Sequence, residues 1–305
     1  MALAERRVPA GGSLEPPVQP LLPGDVPRLR LSRPFHEASV RDALEEWPGR
    51  SVWATDSLEY ALVAPWRHRS DISLCQELSA VRHSERLLRA ATERCREAGD
   101  SLFVVLDMDE HRSHGFYERS GLAPIETVIT YEAERSRIPR LDSSALRFER
   151  AQPARPDHLA ALLAIDHAAF PWLWWNSPAE FREYHHTPGV ELHLGLEGER
   201  PVAYVGFTTF NGWGHLDRIA VDPSAQGQGI GRAALSFVLD ILLRRRANRI
   251  GLSTQEDNWR SRRLYEAFGF RRSPLYDYTL YGAALREPAF ALMPDRAPAV
   301  GGPDG

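Results

Sequence analysis

The sequence predicts an α/β protein, with two tandem copies of a mixed sheet flanked by helices in one chain of 305 residues. Three observations predict it. The C-terminal half reads as strands and amphipathic helices in the order β-α-α-β-β-β-α-β-α-β. Within that half, the strand-like "RIAVDP" passes through a turn with Gly227, Gly229 and Gly231 straight into the helix-like "RAALSFVLDILLRRR". Finally, "LFVVLDMDEHRSHGFYERSGL" (102–122) repeats as "IGLSTQEDNWRSRRLYEAFGF" (250–270) at a constant offset of 148. Asp109, Arg112, Ser113, Tyr117, Glu118 and Gly121 fall on Asp257, Arg260, Ser261, Tyr265, Glu266 and Gly269.

The elements of the C-terminal half follow in order. "LRFERA" (146–151) is a short strand, and "PARPDHLAALLAIDHAAF" carries apolar residues at helical spacing after Pro156-Asp157. "PWLWWNSPAEFREYHH" is a turn and a second short helix. "VELHLGLEG" and "RPVAYVGFTTF" form a hairpin with Gly198 in its turn, and "GHLDRIAVD" alternates as a third strand. The glycine turn and its helix come next, then the strand "RIGLST", the helix "WRSRRLYEAFG" ending at Gly269, and a last strand "FRRSPLYDYTLYG".

The polar stretch 132–145, with Pro139 and no apolar period, marks the boundary between the halves. The expected organisation is a leader over 1–25, a first domain over 26–135, a linker over 136–145, a second domain over 146–285 and a tail over 286–305. Leader and tail are rich in Pro and Gly and are expected to be disordered. Upstream of the repeat, "ELSAV" (77–81) resembles "DRIAV" (217–221), but at offset 140. Eight residues are therefore missing from the first half, most simply the glycine turn itself.

Composition bounds the function. Apolar residues make up 43% and charged residues 26%, as in ordinary soluble proteins. A net charge of −4 gives no field for nucleic acid. All 37 basic residues are arginine, which excludes a lysine nucleophile, Schiff base or P-loop lysine. Two cysteines, Cys75 and Cys95, make no C-x-x-C pair and fit a reducing compartment. No signal-type segment and no run of 18 apolar residues occurs, so a cytoplasmic location without a membrane partner is expected. His185, His186 and His193 lack a carboxylate at ligand spacing, so no metal is expected. The basic run "LLRRRANR" complements a helix C-terminus.

A strand, a glycine turn and a helix N-terminus make an anion cradle: the first amides of the helix have no intrahelical acceptor and the dipole adds about half a positive charge. A P-loop needs G-x-x-x-x-G-K-[ST] and a dinucleotide turn G-x-G-x-x-G after the first strand of its unit; neither is present. The pattern that is present, Gln226-Gly227-Gln228-Gly229-Ile230-Gly231 with Arg232 beside it, resembles the coenzyme A pyrophosphate loop of the GCN5-related N-acetyltransferase (GNAT) family. "RIAVDP", the loop, the helix, Asn258, Leu264-Tyr265-Glu266 and Gly269-Phe270 stand in that family's order over residues 146–282. The first half resembles a degenerate member through "GFYERSGL" (115–122).

The resemblance implies two tandem acyl-CoA N-acyltransferase domains, of which the second transfers acetyl from acetyl-CoA to a primary amine by direct attack. The acceptor would be a small molecule or a protein N-terminus. By the same resemblance Ile219, Ala220 and Val221 hold the pantetheine arm and polarise the thioester carbonyl. Tyr265 protonates the departing thiolate, and Asn258 contacts the cosubstrate unless it serves only as a helix N-cap. Certain relatives, the ribosomal-protein-alanine acetyltransferases, carry a glutamate five residues before this asparagine. That position here is Ser253, so a base must come from elsewhere. Asp217, which shares a strand face with His215, is the pointed choice against a plain salt bridge, and Glu191 starts a neighbouring strand. Trp172, Trp174 and Trp175 are candidate walls of the acceptor pocket by family analogy, although clustered tryptophans also serve packing. The alternative is a non-catalytic acyl-CoA-binding scaffold or sensor. One coenzyme A per chain is expected.

Overall fold

The computed structural model describes residues 18–32, 35–108, 112–139 and 146–292. They form two compact units, one running up to Ala64 and including Cys75–Gly99, the other made of Pro65–Leu74 and the chain from Asp100 onward.

The smaller unit holds β1 (Val18–Pro20), α1 (Glu37–Glu46), β2 (Val52–Ala54), most of β3 (Glu59–Pro65), the end of β4 (Ile72–Ser79) and α2 (Ser84–Ala98). β1 pairs antiparallel with β2, and β2 with β3. Leu21, Val26, Val40, Leu44, Trp53, Tyr60 and Leu62 make its core. The leader expected through residue 25 is therefore folded from Val18: "VQPLL" supplies a strand and buries Leu21, which Pro content alone does not reveal. Residues 1–17 lie outside the described residues.

The larger unit contains β5 (Leu102–Asp107), α3 (His114–Arg119), β6 (Ala123–Glu134), β7 (Arg147–Arg150), α4 (Pro156–Ala169), α5 (Pro178–His186), β8 (Val190–Glu197), β9 (Arg200–Phe210), β10 (Trp213–Val221), α6 (Ile230–Arg244), β11 (Arg249–Gln255), α7 (Trp259–Ala267), β12 (Arg271–Arg272) and β13 (Tyr278–Ala284). Its strands run β5-β13-β6-β11-β10-β9-β8-β7. The β10–β11 pair is parallel and the others antiparallel. α6 presents Ala234, Leu235, Val238, Leu239 and Leu242 at helical spacing to a core with Ile250, Leu252, Tyr265 and Phe268. The expected last strand is split into β12 and β13 because Pro274 opens a 3-10 turn, Pro274–Tyr276, between them.

The sequence repeat becomes an exchange of strands. β5 and β6 belong to the first copy; β11, β12 and β13 occupy the corresponding places in the second. β13 inserts between β5 and β6, while β6 pairs with β11 along Val128–Glu134. Each copy's last strand thus completes the sheet of the other. Both copies also end the helix after the repeated strand in a left-handed glycine, Gly121 (φ 82°) and Gly269 (φ 85°). At Gly269 a side chain would meet the Arg137 carbonyl at 2.3 Å. The exchange explains why the compact units do not part in the linker. β6 carries the chain in register to Glu134 opposite Arg249, and Ile138 packs on the second core. Residues 140–145, and Asp109 of the repeat, lie outside the described residues. From the tail, Ala289–Leu292 forms a turn with Ala289 buried; residues 293–305 are not among those described.

Candidate active site

β10 and β11 run side by side only from Trp213↔Arg249 to Leu216↔Leu252. At Asp217 β10 carries a bulge: Leu216 opposes Phe207 and Arg218 opposes Gly206, leaving Asp217 as the extra residue. Beyond it, Arg218 to Val221 stay paired with β9 while Ser253 to Gln255 stay paired with β6. The two central strands therefore part, and backbone groups of β10 face the opening.

That opening is a pocket of about 140 Å³, lined from β10 by Leu216 to Ile219, from β11 by Ser253 to Gln255, and from the next turn and helix by Asn258, Ser261 and Tyr265. Arg67, Val128, Phe170, Trp174 and Tyr278 close its other side. A broader surface depression at Glu134–Ser136 and Asn248–Arg249 lies away from this constellation.

At the end of β10, Pro223–Ala225 makes a single turn capped by the Asp222 carboxylate on the Ser224 amide (2.8 Å). Gly227 (φ 81°) and Gly229 (φ 82°) are both left-handed, and Gly229 is the N-cap of α6 with no side-chain cap hydrogen bond. A Cβ at either glycine would meet nothing within 4 Å, so backbone conformation, not crowding within the protein, demands glycine there. The Gln226 amide donates to the Val221 carbonyl (3.2 Å) and its oxygen accepts from Arg260 (2.6 Å), tying the turn to β10 and α7. The Arg232 guanidinium lies 4.9 Å from the Phe268 ring centroid.

Tyr265 is buried, and burial pushes its phenol up to about 12, with a hydrogen bond to Ser261 working the other way. It is therefore a proton-bearing donor throughout the physiological range. The Asn258 oxygen accepts from the Ser261 amide (3.2 Å), so the asparagine does cap α7, and it lines the pocket as well.

Asp217 collects three donors: the Tyr184 hydroxyl (2.5 Å), the Thr208 hydroxyl (2.6 Å) and His215 Nδ1 (2.6 Å). Tyr184 reaches it from α5 by crossing Gly206, where any Cβ would stand 2.8 Å from the phenol oxygen. Burial first, then the Asp217 charge, drive the Tyr184 pKa far up, so it stays a donor.

Beneath the pocket the bulge turns Arg218 inward onto the fully buried Asp166 (2.7 Å). Asp166 also accepts from the Tyr204 hydroxyl and the Asn176 amide (2.8 Å), and Arg218 donates to the Trp174 carbonyl (2.5 Å). A buried ion pair keeps its charges only when its remaining valences are filled in this way. An arginine amid the apolar "RIAV" of a central strand is the sequence signal for such a partner; Asp166, mid-helix, gives none.

The three tryptophans separate. Trp174 lines the pocket, with its indole N–H on Glu126 (2.5 Å) and its ring edge-on to Trp66 at 5.6 Å. Burial raises the Glu126 pKa above the usual carboxylate range, against the Trp174 hydrogen bond. Trp172 lies outside the lining under the Arg69 guanidinium (4.6 Å), and Trp175 stacks on His167 at 4.5 Å. Glu191, expected near the acceptor, is ion-paired with Arg245, lies 3.6 Å from the neutral His193 Nε2, and takes no part in the lining. Burial, then Arg150, lower His193 to about 4. No group of three or more His, Cys, Asp or Glu is placed to hold a metal among the described residues, and none of their helices is long and apolar enough to cross a membrane.

The sequence model described as "Acetyltransferase (GNAT) family" matches residues 159–270. The curated mycothiol acetyltransferase of Beutenbergia cavernae is 41% identical over 69 residues, a match spanning 23% of this chain and 23% of that protein. Among solved structures, a GCN5-related N-acetyltransferase from Sphaerobacter thermophilus covers 88% of this chain and 95% of its own (15% identity, TM-score 0.56). A tandem GNAT protein from the clavulanic acid biosynthesis pathway covers 88% and 98% (14% identity, TM-score 0.56), and a Kribbella flavida GCN5-related N-acetyltransferase 90% and 72% (14% identity, TM-score 0.61). At these identities the likeness is one of fold, and it extends over both copies.

Proposed function

We propose, from the match of residues 159–270 to the GNAT acetyltransferase family, that this chain transfers an acetyl group from acetyl-CoA to the primary amine of a small molecule. The observation that carries the reading is the parting of β10 and β11 into a pocket that gathers Ile219, Asn258, Tyr265 and Asp217, next to a helix that begins in left-handed glycines.

In this reading the diphosphate of the cosubstrate lies on the amides of Gln226 to Arg232, and the pantetheine arm adds to the β10 edge at Ile219, Ala220 and Val221. An amide of that edge polarises the thioester carbonyl. The amine nitrogen attacks the carbonyl carbon, the C–N bond forms and the C–S bond breaks. Sulfur leaves toward the Tyr265 hydroxyl, which donates to it. Asp217 draws the cationic amine in; the proton that the ammonium loses before its nitrogen attacks leaves along the Asp217–His215 hydrogen bond to solvent, and the second N–H proton, lost as the amide forms, replaces the one Tyr265 gives to sulfur. Ser253 lines the pocket but offers no carboxylate. The curated relative's name favours a small-molecule acceptor over a protein N-terminus.

The test is calorimetric titration with acetyl-CoA, combined with release of free coenzyme A thiol across an amine panel. Binding with amine-dependent thiol release supports the transferase; binding with no release on any amine supports the scaffold or sensor reading instead.

A further inference from the structure

Arg67 belongs to no motif, yet it lines the same pocket as Asp217 and Tyr265. It sits on a turn, Trp66–His68, in which Arg67 (φ 53°, ψ 41°) and His68 (φ 49°) are both left-handed. Two successive non-glycine residues in that region are unfavourable and persist only where surrounding contacts impose them. Those contacts are present. The Trp66 indole donates to the Leu173 carbonyl (2.7 Å), and Arg69 is fixed by Asp71 (2.8 Å) and the Trp172 carbonyl. The Arg67 guanidinium lies 5.3 Å from the Trp66 ring centroid and 5.2 Å from that of Trp174.

The cation lacks an anion. Arg67 Nη1 donates to the Asn176 oxygen (2.7 Å), a neutral acceptor, and the buried Nε has no partner. Among the described residues no carboxylate lies within ion-pair distance of it; Asp166 is taken by Arg218, and Glu180 faces His68 at 3.8 Å. Burial, then the neighbouring Arg218, lower its pKa to about 10, which leaves it charged at neutral pH. A half-buried, charged guanidinium whose Nε is buried without a partner is costly unless a ligand completes it.

We propose that Arg67 sets acceptor specificity by pairing with an oxyanion, carboxylate or phosphate, carried on the acceptor amine. The acceptor class is then an amino acid or aminoalkyl phosphate whose apolar portion packs against Phe170, Trp174 and Tyr278. This rests on the transferase reading of the same pocket. Planar, forked N–H groups suit such an anion, and a lysine would match it less well.

Matched series test it: short ω-amino acids of increasing length, their amides, and the corresponding aminoalkyl phosphonates, assayed by coenzyme A release. The acids or phosphonates are expected to exceed the amides in kcat/KM. Arg67→Gln is expected to collapse that ratio by about 10- to 100-fold, mainly through KM, with Arg67→Lys retaining part of it and melting curves verifying that both variants fold. Equal use of acids and amides, or a ratio untouched by R67Q, overturns the proposal while leaving the transferase standing. A second readout needs no turnover: titration of benzoate or inorganic phosphate into the protein with coenzyme A bound. Heat in the parent that is lost in R67Q supports the anion site even if no amine is acetylated, a result that would count against the transferase reading alone. Absence of anion binding in the parent counts against Arg67.

Discussion

The two copies pass from strand to helix in opposite ways. In the first, β4 reaches α2 through Ala80–His83, and the Glu59 carboxylate accepts from the amides of Val81 (3.1 Å), Arg82 (3.0 Å) and His83 (2.8 Å). In the second, β10 reaches α6 through residues 222–229, and the cap is Gly229 with no side-chain hydrogen bond. One copy fills the amides of the turn that leads into its helix with an anion of its own. The other lengthens the turn with left-handed glycines; its one acidic cap, Asp222, is spent on Ser224, and the helix itself starts at Gly229. An internal carboxylate on the turn thus leaves the first copy no open amides at Val81, Arg82 and His83 for an outside anion.

The repeated tyrosines extend the contrast. Tyr117 is buried and stacks on Tyr281 at 3.8 Å; Tyr265 is buried and lines the pocket. Tyr265→Phe is expected to lower kcat about 10²- to 10⁴-fold while leaving the acetyl-CoA Kd in place, and Tyr117→Phe to leave kcat as it was. Steady-state kinetics with calorimetry checks both, and equal losses would erase the distinction between the copies.

At Gly229 the φ of 82° makes alanine strained even though its Cβ has room. The G229A variant should weaken acetyl-CoA binding roughly tenfold through backbone strain, read by calorimetry at unchanged stoichiometry. The stoichiometry itself sharpens the comparison: one coenzyme A per chain is expected in the parent and also in Glu59→Ala. A second site appearing in E59A would mean that freed amides suffice without the glycines.

The smallest effect is on stability. Losing the Glu59 carboxylate from the turn before α2 should cost about 1 kcal/mol, seen as a fall of roughly 2–4 °C in Tm. Burial works to raise the Glu59 pKa, but its three backbone hydrogen bonds outweigh that and hold it below the usual value. Its contribution is therefore full above the ordinary glutamate range and fades as pH falls through the lowered pKa. E59A should show a shallower acid limb in a pH–Tm series than the parent.

Local patterns made the second copy legible. Period and turn chemistry place β7 to β11, α4, α6 and α7, and the glycine turn with Asn258 and Tyr265 stands on neighbouring elements whose spacing a sequence displays. Pro274 is equally visible, though its consequence, a strand broken in two, depends on where the partner β6 runs.

Other features had no local signature. Arg67 and Tyr184 approach the site from distant segments, and the triple acceptance at Asp217 depends on a bulge and on the missing Cβ of Gly206. The exchange of β6 and β13, which sets Val128 and Tyr278 beside the pocket, is likewise a matter of strand order. The sequence by itself determined the elements of the second copy, the repeat and the glycine turn, because propensity, period and backbone conformation act within a few residues. Tertiary structure alone decided which charges meet. Burial makes an unpaired ion expensive, and only the packed sheet shows that Asp166 answers Arg218 while Arg67 is left without an anion.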